Sequence, residues 1–230
     1  PAIRRLNALR ILALVSDLRR LVQDRKDAFL GWRSKGRGRS MPLVSVADVV
    51  VTEGSPGSVS SGALTTRGNQ IVDAAGEPVR LAGVNWFGFE TTNFAPHGLW
   101  SRGYVEMMDQ MKAEGFNTIR LPYSDELFDA GSTPNGIDFG KNPDLQGLTG
   151  LEIMDRIVTQ ADEIGMRVIL DHHRSEAGNS ANESGLWYSA EFPETVWIEH
   201  LTQLATRYAS HPSVVGIDLH NEPHGGATWG

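Results

Sequence analysis

The chain has 230 residues, 40% of them hydrophobic, which suits one sizeable core with a small appended segment and excludes a fibrous or wholly disordered protein. Its formal charge of −7 is uneven: residues 1–40 carry 11 Lys+Arg against 3 Asp+Glu, whereas 41–230 carry 10 against 25, so the two parts have different histories or partners. With no cysteine there is no disulfide framework and no thiolate zinc site.

Residues 3–30 read as an amphipathic helix, because Ile11, Leu14, Val15, Leu18, Leu21 and Val22 recur at helical spacing. The opposite face is basic, with Arg4, Arg5, Arg10, Arg19, Arg20, Arg25 and Lys26. Such a face suits an anionic surface, but neither aromatic interleaving nor a nucleic-acid motif accompanies it, so a solvated face or non-native leader is the plainer reading. No nucleic-acid and no membrane partner is expected. Ile11 to Val15 is too short and too closely flanked by charge for a signal-peptide core, and no run approaches the roughly 18 apolar residues of a spanning helix. A chain that begins with Pro1 is expected to be processed or a fragment.

Leu43 to Val51 suits a strand, and residues 53–62 form a Gly/Ser-rich linker. The expected division is therefore 1–62, a basic helix with its linker, and 63–230, the folded domain. A hairpin is expected from Gln70-Ile71-Val72, a turn at 73–76 and an arm from Pro78 that runs on as the first strand of a larger sheet, Val79 to Trp86. Tyr104, Met108 and Met111, with Val105 and Met107 alongside, give a helical face ending at Gly115, and Phe116 to Pro122 is the second strand, with Pro122 at its exit. A long polar loop covers about 123–147. Thr149 and Glu152 fit a capping box, followed by the stripe Ile153, Ile157, Val158, Ala161 and Ile164 and a stop at Gly165.

Met166 to Leu170 is the third strand, running into Asp171-His172-His173. Glu194 to Ala209 is a helix with Val196, Leu201, Leu204, Ala205 and Tyr208 on one side. Val214, Val215, Ile217 and Leu219 form a fourth strand with the pattern of one buried on both faces, stopped by Pro223. Strict strand–helix alternation argues a parallel sheet with outer helices, an α/β fold.

Each of these strands finishes in polar or aromatic residues: Asn85-Trp86, Arg120, Asp171 to His173, and Asn221-Glu222. In a barrel such ends converge on one rim, where a carboxyl group among an amide, imidazoles and a guanidinium can protonate a leaving group. One difficulty is local. Period-2 alternation points Asn221 and Glu222 to opposite sides, so both face a substrate only if the backbone kinks there.

The motifs Asn85-Trp86-Phe87-Gly88, Thr118-Ile119-Arg120-Leu121-Pro122, Ile169-Leu170-Asp171-His172-His173 and Asp218-Leu219-His220-Asn221-Glu222-Pro223 resemble consecutive motifs of glycoside hydrolase family 5, the cellulase family, nearest in pattern to its bacterial endo-β-1,4-glucanases. The resemblance spans about residues 64–230. It implies a (β/α)8 TIM barrel, of which the first four βα units are present, and a retaining endo-acting hydrolysis of β-1,4-glucan with no metal or organic cofactor. It implies for Glu222 the general acid/base, for Asn221 a hydrogen bond to the sugar 2-hydroxyl, for Arg120 the orientation of the nucleophilic carboxylate, and for His173 a place in a subsite. Asn85 and Trp86 are implied at the substrate cleft, where an indole face covers a pyranose.

The partner implied is a β-linked polysaccharide such as cellulose or a soluble β-glucan, and the localisation implied is secreted. The family's nucleophile lies after the seventh strand, and no glutamate here matches that motif. The chain alone is therefore expected to hydrolyse little, and to cover its open edges by dimerisation or a complementing half-barrel. Two other readings stand beside this one. A glycan-binding remnant would use Trp86 without cleavage, and a metal-dependent hydrolase would draw on Asp171, His172, His173, His211, His220 and His224, although no His-x-His pair or bridging lysine accompanies them.

Overall fold

The computed structural model describes residues 64–180 and 184–228. The basic helix, the strand of 43–51 and the Gly/Ser linker lie outside the described residues. Two sheets form. The smaller pairs β1 (Thr65–Arg67) with β2 (Gln70–Val72) antiparallel around Gly68, whose φ of 64° is open to a residue without Cβ. β1 had no counterpart in the sequence reading. The turn expected at 73–76 does follow: the Asp73 carboxylate accepts the Ala75 and Glu77 amides, and Val79 N–H donates to the Ile71 carbonyl at 2.8 Å.

The larger sheet is parallel, in the order β3 (Gly83–Asn85), β4 (Thr118–Ser124), β5 (Arg167–Arg174), β6 (Val214–Asp218). Between them run α1 (Tyr104–Ala113), α2 (Gly150–Ile164) and α3 (Glu194–Arg207). Strand order equals chain order with a helix in every crossover, so among the described residues the sheet is three consecutive βα units and a fourth strand, the pattern of a barrel wall.

Period-2 alternation sorts the strands into two faces. Ile119, Leu121 and Tyr123 on β4, with Val168 and Leu170 on β5, are wholly buried against the helices. They meet Met108 of α1, Ile153, Met154, Ile157, Val158 and Ala161 of α2, and Leu204 of α3 in one cluster. Burying each of the larger side chains contributes about 1.5–3 kcal/mol. The other face carries Asn85, Arg120, Asp171 and Asp218. Register pairs Asn85 with Arg120 and Asp171 with Asp218.

Helix ends follow local chemistry. In α2, Thr149 Oγ1 accepts the Glu152 amide at 3.3 Å and the Glu152 carboxylate accepts the Thr149 amide at 2.8 Å, while Gly165 closes the helix at φ 70°. α1 has no side-chain cap of its own. Instead the buried Asn142 reaches back from the 125–147 segment, accepting the Tyr104 amide at 2.8 Å and donating to the carbonyls of Leu99, Arg102 and Asp138. That segment, expected to be a plain polar loop, contains 3₁₀ turns at Asp125–Phe128 and Pro143–Leu145.

Several boundaries differ from the sequence reading. The first large-sheet strand is three residues rather than eight. Pro122 lies inside β4 rather than at its exit. The Arg120 carbonyl accepts the Trp86 amide, so the backbone of Pro122, two residues on, faces an edge that β3 has already left, and no ladder bond is lost. Val105 is exposed, not part of the buried face of α1. β6 is half-buried along its length rather than enclosed, because among the described residues it pairs with β5 alone.

Candidate active site

Arg120 projects from the inner face of β4 and gathers groups from every strand of the parallel sheet. Its Nη2 lies 2.9 Å from Asp171 Oδ1 and 3.1 Å from Asp218 Oδ2, and donates to Asn221 Oδ1 at 2.9 Å; Nη1 reaches Asn85 Oδ1 at 3.4 Å. The planar guanidinium thus donates to Asn85, Asp218 and Asn221 and stands as an ion pair beside Asp171, whose Oδ1 takes no hydrogen bond from it. The Asp171 carboxyl is wholly buried; that burial pushes its pKa above the ordinary carboxylate value, while His173 and Arg120 pull it down.

His173 Nδ1–H donates to Asp171 Oδ2 at 2.7 Å. Its Nε2 is then an acceptor and faces Asn221 Nδ2 at 3.5 Å, the outer limit of a hydrogen bond. Asn221 thus bridges the guanidinium and the imidazole, one with its carbonyl and the other with its amide nitrogen. The Asn221 backbone N–H donates to the His172 carbonyl at 2.9 Å. Asn85, Arg120, His173 and Asn221 are therefore brought together, as expected.

Glu222 stands beside this group without entering it. Its side chain is exposed, and among the described residues its carboxylate has no hydrogen bond or ion pair. Its φ is 45°, a left-handed conformation that a non-glycine residue rarely adopts. β6 ends at Asp218, and the kink that the alternation demanded sits at Glu222 itself.

Trp86 does not line a cleft. It is 4% exposed, packs in the main cluster and donates Nε1–H to the His97 carbonyl at 2.9 Å, so no indole face is open to a sugar. The residue after it is different: Phe87 is 47% exposed and its ring lies 4.2 Å from that of His97, which meets the edge of Trp100, 51% exposed, at 4.6 Å. This aromatic ledge follows the end of β3.

Three carboxylates were not assigned to the site from sequence. Asp171 and His173 share a strand face by simple alternation, and a guanidinium turned inward needs a counter-charge, so Asp171 was within reach; Asp218 follows from its register with it. Glu90 gives no such signal. It is buried in the loop after β3, accepts the Gly88 amide at 2.6 Å, and is held above the usual carboxylate range by burial, within the electrostatic reach of His173 and Asp171.

The residues weighed as metal ligands separate. Asp171 and His173 face Arg120, His172 and His220 pair behind the sheet, His211 binds Asp162 and His224 turns to the Glu222 carbonyl. Among the described residues no three His, Asp or Glu side chains form a group able to hold a metal ion.

Residues 72–230 match the family model for cellulase, glycosyl hydrolase family 5. The chain belongs to glycosyl hydrolase family 5. An endoglucanase of Paenibacillus polymyxa is 52% identical over 165 residues, covering 72% of this chain and 41% of that relative. The major extracellular endoglucanase of Xanthomonas campestris pv. campestris is 47% identical over 161 residues, covering 70% of this chain and 33% of the relative.

Among solved structures, the catalytic domain of the Xanthomonas enzyme superposes with a TM-score of 0.67 at 44% identity, over 73% of this chain and 47% of that one. A Pyrococcus horikoshii endocellulase variant in complex with cellotetraose gives 0.65 at 41% identity, over 75% and 46%. The chain thus spans less than half the length of each of these proteins. Within the family's (β/α)8 barrel, the four parallel strands are a partial wall.

Proposed function

We propose that this chain forms the acid/base wall of an endo-acting β-1,4-glucanase that works with retention. The observation that supports it most is the Arg120 cluster, in which one guanidinium ties the inner faces or ends of β3, β4, β5 and β6 and holds Asn221 directly before Glu222. In this proposal Glu222 protonates the glycosidic oxygen and later takes a proton from water, and Asn221 donates to the sugar 2-hydroxyl. His173 lines a subsite. The exposed Phe87 and Trp100, with the half-buried His97 between them, offer the sugar faces an aromatic ledge that Trp86 cannot.

Retention requires a second carboxylate about 5–5.5 Å from the first. Asp171 and Asp218 are both committed to Arg120, so the proposal assigns the nucleophile to a later strand of a longer barrel polypeptide, as the family pattern implies, and gives Arg120 the task of orienting it. Secretion is proposed with the activity, since one relative is named an extracellular endoglucanase. The division at residue 62 and a second copy or half-barrel covering the free edge of β6 belong to the same proposal.

The test is release of reducing ends from a soluble β-1,4-glucan by this chain and by a polypeptide continued through a seventh-strand glutamate. The longer protein should be active and Glu222→Gln should lower its kcat/KM at least about 100-fold. Cleavage by the 230-residue chain alone that survives Glu222→Gln would refute the assignment. The exposed aromatic ledge also favours a second reading, glycan binding without cleavage; retardation of this chain in a β-glucan gel with no reducing ends formed would distinguish it.

A further inference from the structure

A buried polar network lies behind the candidate site and takes no part in the reaction proposed above. Asp171 and His173 face the front of β5, so His172 between them faces the back, toward α3, with no exposed surface. Its Nε2 lies 2.9 Å from Asp125 Oδ2. Asp125, just beyond β4 and equally buried, accepts a second bond from His200 Nδ1 on α3 at 2.8 Å. His200 is itself held flat against Phe128, with ring centroids 3.9 Å apart and planes 6° apart.

The other nitrogen of His172, Nδ1, is 3.0 Å from His220 Nδ1, and the His172 carbonyl accepts the Asn221 N–H. One residue therefore holds the side chain of 220 and the backbone of 221, immediately before Glu222. Burial alone would raise the Asp125 pKa, but the bonds from His172 and His200 outweigh it and hold the carboxyl below its ordinary range. An ionised carboxylate only accepts, so His172 carries a hydrogen on Nε2, and in the Nε2–H tautomer its Nδ1 is an acceptor for His220 Nδ1–H. With the opposite tautomer a lone pair of His172 would face the carboxylate.

We propose that Asp125 is a positioning residue of the candidate active site: by fixing the tautomer of His172 it fastens the His220–Asn221 backbone from which Glu222 is presented. What Glu222 does rests on the glucanase reading. The fastening is a property of this chain alone.

The experiment is long-range ¹H–¹⁵N correlation on the histidine rings of the full ¹⁵N-labelled chain at neutral pH, with amide exchange measured alongside. His172 protonated at Nε2, His220 protonated at Nδ1 and a scalar coupling between the two Nδ1 nitrogens are expected. In Asp125→Asn, His172 should shift toward its Nδ1–H tautomer and Asn221 amide exchange should accelerate about tenfold or more, with Leu121 and Leu170 as protected as before; Asp125→Glu should restore the tautomer. A bare Nε2 on His172, a missing coupling, or unchanged Asn221 exchange once the tautomer has moved would overturn the proposal. Should Asp125→Asn not fold, the wild-type tautomers and coupling decide it unaided. If they are as stated while the longer barrel cleaves no β-glucan, the fastening holds and the proposed activity falls.

Discussion

Replacing Arg120 with alanine tests the electrostatic centre of the site directly. The variant strips the wholly buried Asp171 carboxylate of a partner at 2.9 Å and Asp218 of one at 3.1 Å, and leaves Asn221 without the donor to its carbonyl. Breaking a buried pair from one side costs about 3–5 kcal/mol, because the remaining charge is left uncompensated. His173 still donates to Asp171 at 2.7 Å and Asp218 is partly in water, so the lower end applies, about 3 kcal/mol. With a urea dependence of about 2 kcal/mol per molar for a domain of this size, the unfolding midpoint should fall by about 1.5 M. Asp171→Asn removes the charge that Arg120 compensates, so in that background Arg120→Ala should cost less by about 2 kcal/mol, a coupling measurable by a double-mutant cycle. Equal losses in the two backgrounds would refute the claim that Asp171 is the principal charge Arg120 serves.

Three further outcomes are expected. Burial, with nearby His172 next, holds His220 at about 4 against an ordinary 6.5; between those values the unfolded chain takes up a proton that the folded one refuses. That contribution is complete above 6.5 and is lost as pH falls toward 4, by roughly 3 kcal/mol. The groups acting on His220 are His172 and His173 of β5, Asp218 of β6 and Asp125. Asp125, held low, loses stability in the same direction further down, whereas the raised Glu90 and Asp171 work against it, so the comparison is with His220→Gln, whose stability should vary less over this range; parallel curves would contradict the assignment. Gly88→Ala should cost about 3 kcal/mol or more in urea unfolding, since its Cβ would lie 2.1 Å from the Ala95 carbonyl oxygen at a φ of 141°, and an unshifted midpoint would show that the loop yields. Trp100→Ala, at a 51% exposed ring, should weaken retention in a β-glucan gel several-fold while moving stability by no more than about 0.5 kcal/mol; unchanged retention would remove the ledge from the binding surface.

The sequence made the order of elements legible, because the helical stripes and short apolar runs alternate without exception from Val79 onward. It was weaker at strand ends. Asp171, His172 and His173 read as a polar exit, yet they extend β5 as strand, because each finds a partner: Asp171 in Arg120, His172 in Asp125, His173 in Asp171 and Asn221. Polar residues stop a strand when they must reach water, not when the fold supplies their bonds. Trp86 failed for a related reason. An aromatic beside a polar strand end fits a sugar platform or a core anchor equally well, and only the path of the loop after β3, which brings the His97 carbonyl to the indole N–H, decides for the core.

The same period-2 rule that exposed the Asn221–Glu222 difficulty divides β5 more usefully than the motif does. Asp171 and His173 point to Arg120 and Asn221, while His172 points away and bonds Asp125 and His220. One strand end thus braces the Asn221 turn from both sides of the sheet. A left-handed Glu222 costs on the order of 1–3 kcal/mol and persists only where its surroundings over-determine it. Here the bonds that fix it fall on the two residues before it, 220 and 221, and on the Glu222 carbonyl, which His224 Nδ1 meets at 2.7 Å, and among the described residues none engages the Glu222 carboxylate. For the acid/base role proposed for Glu222, a rigid backbone and an uncommitted carboxyl serve better than the reverse.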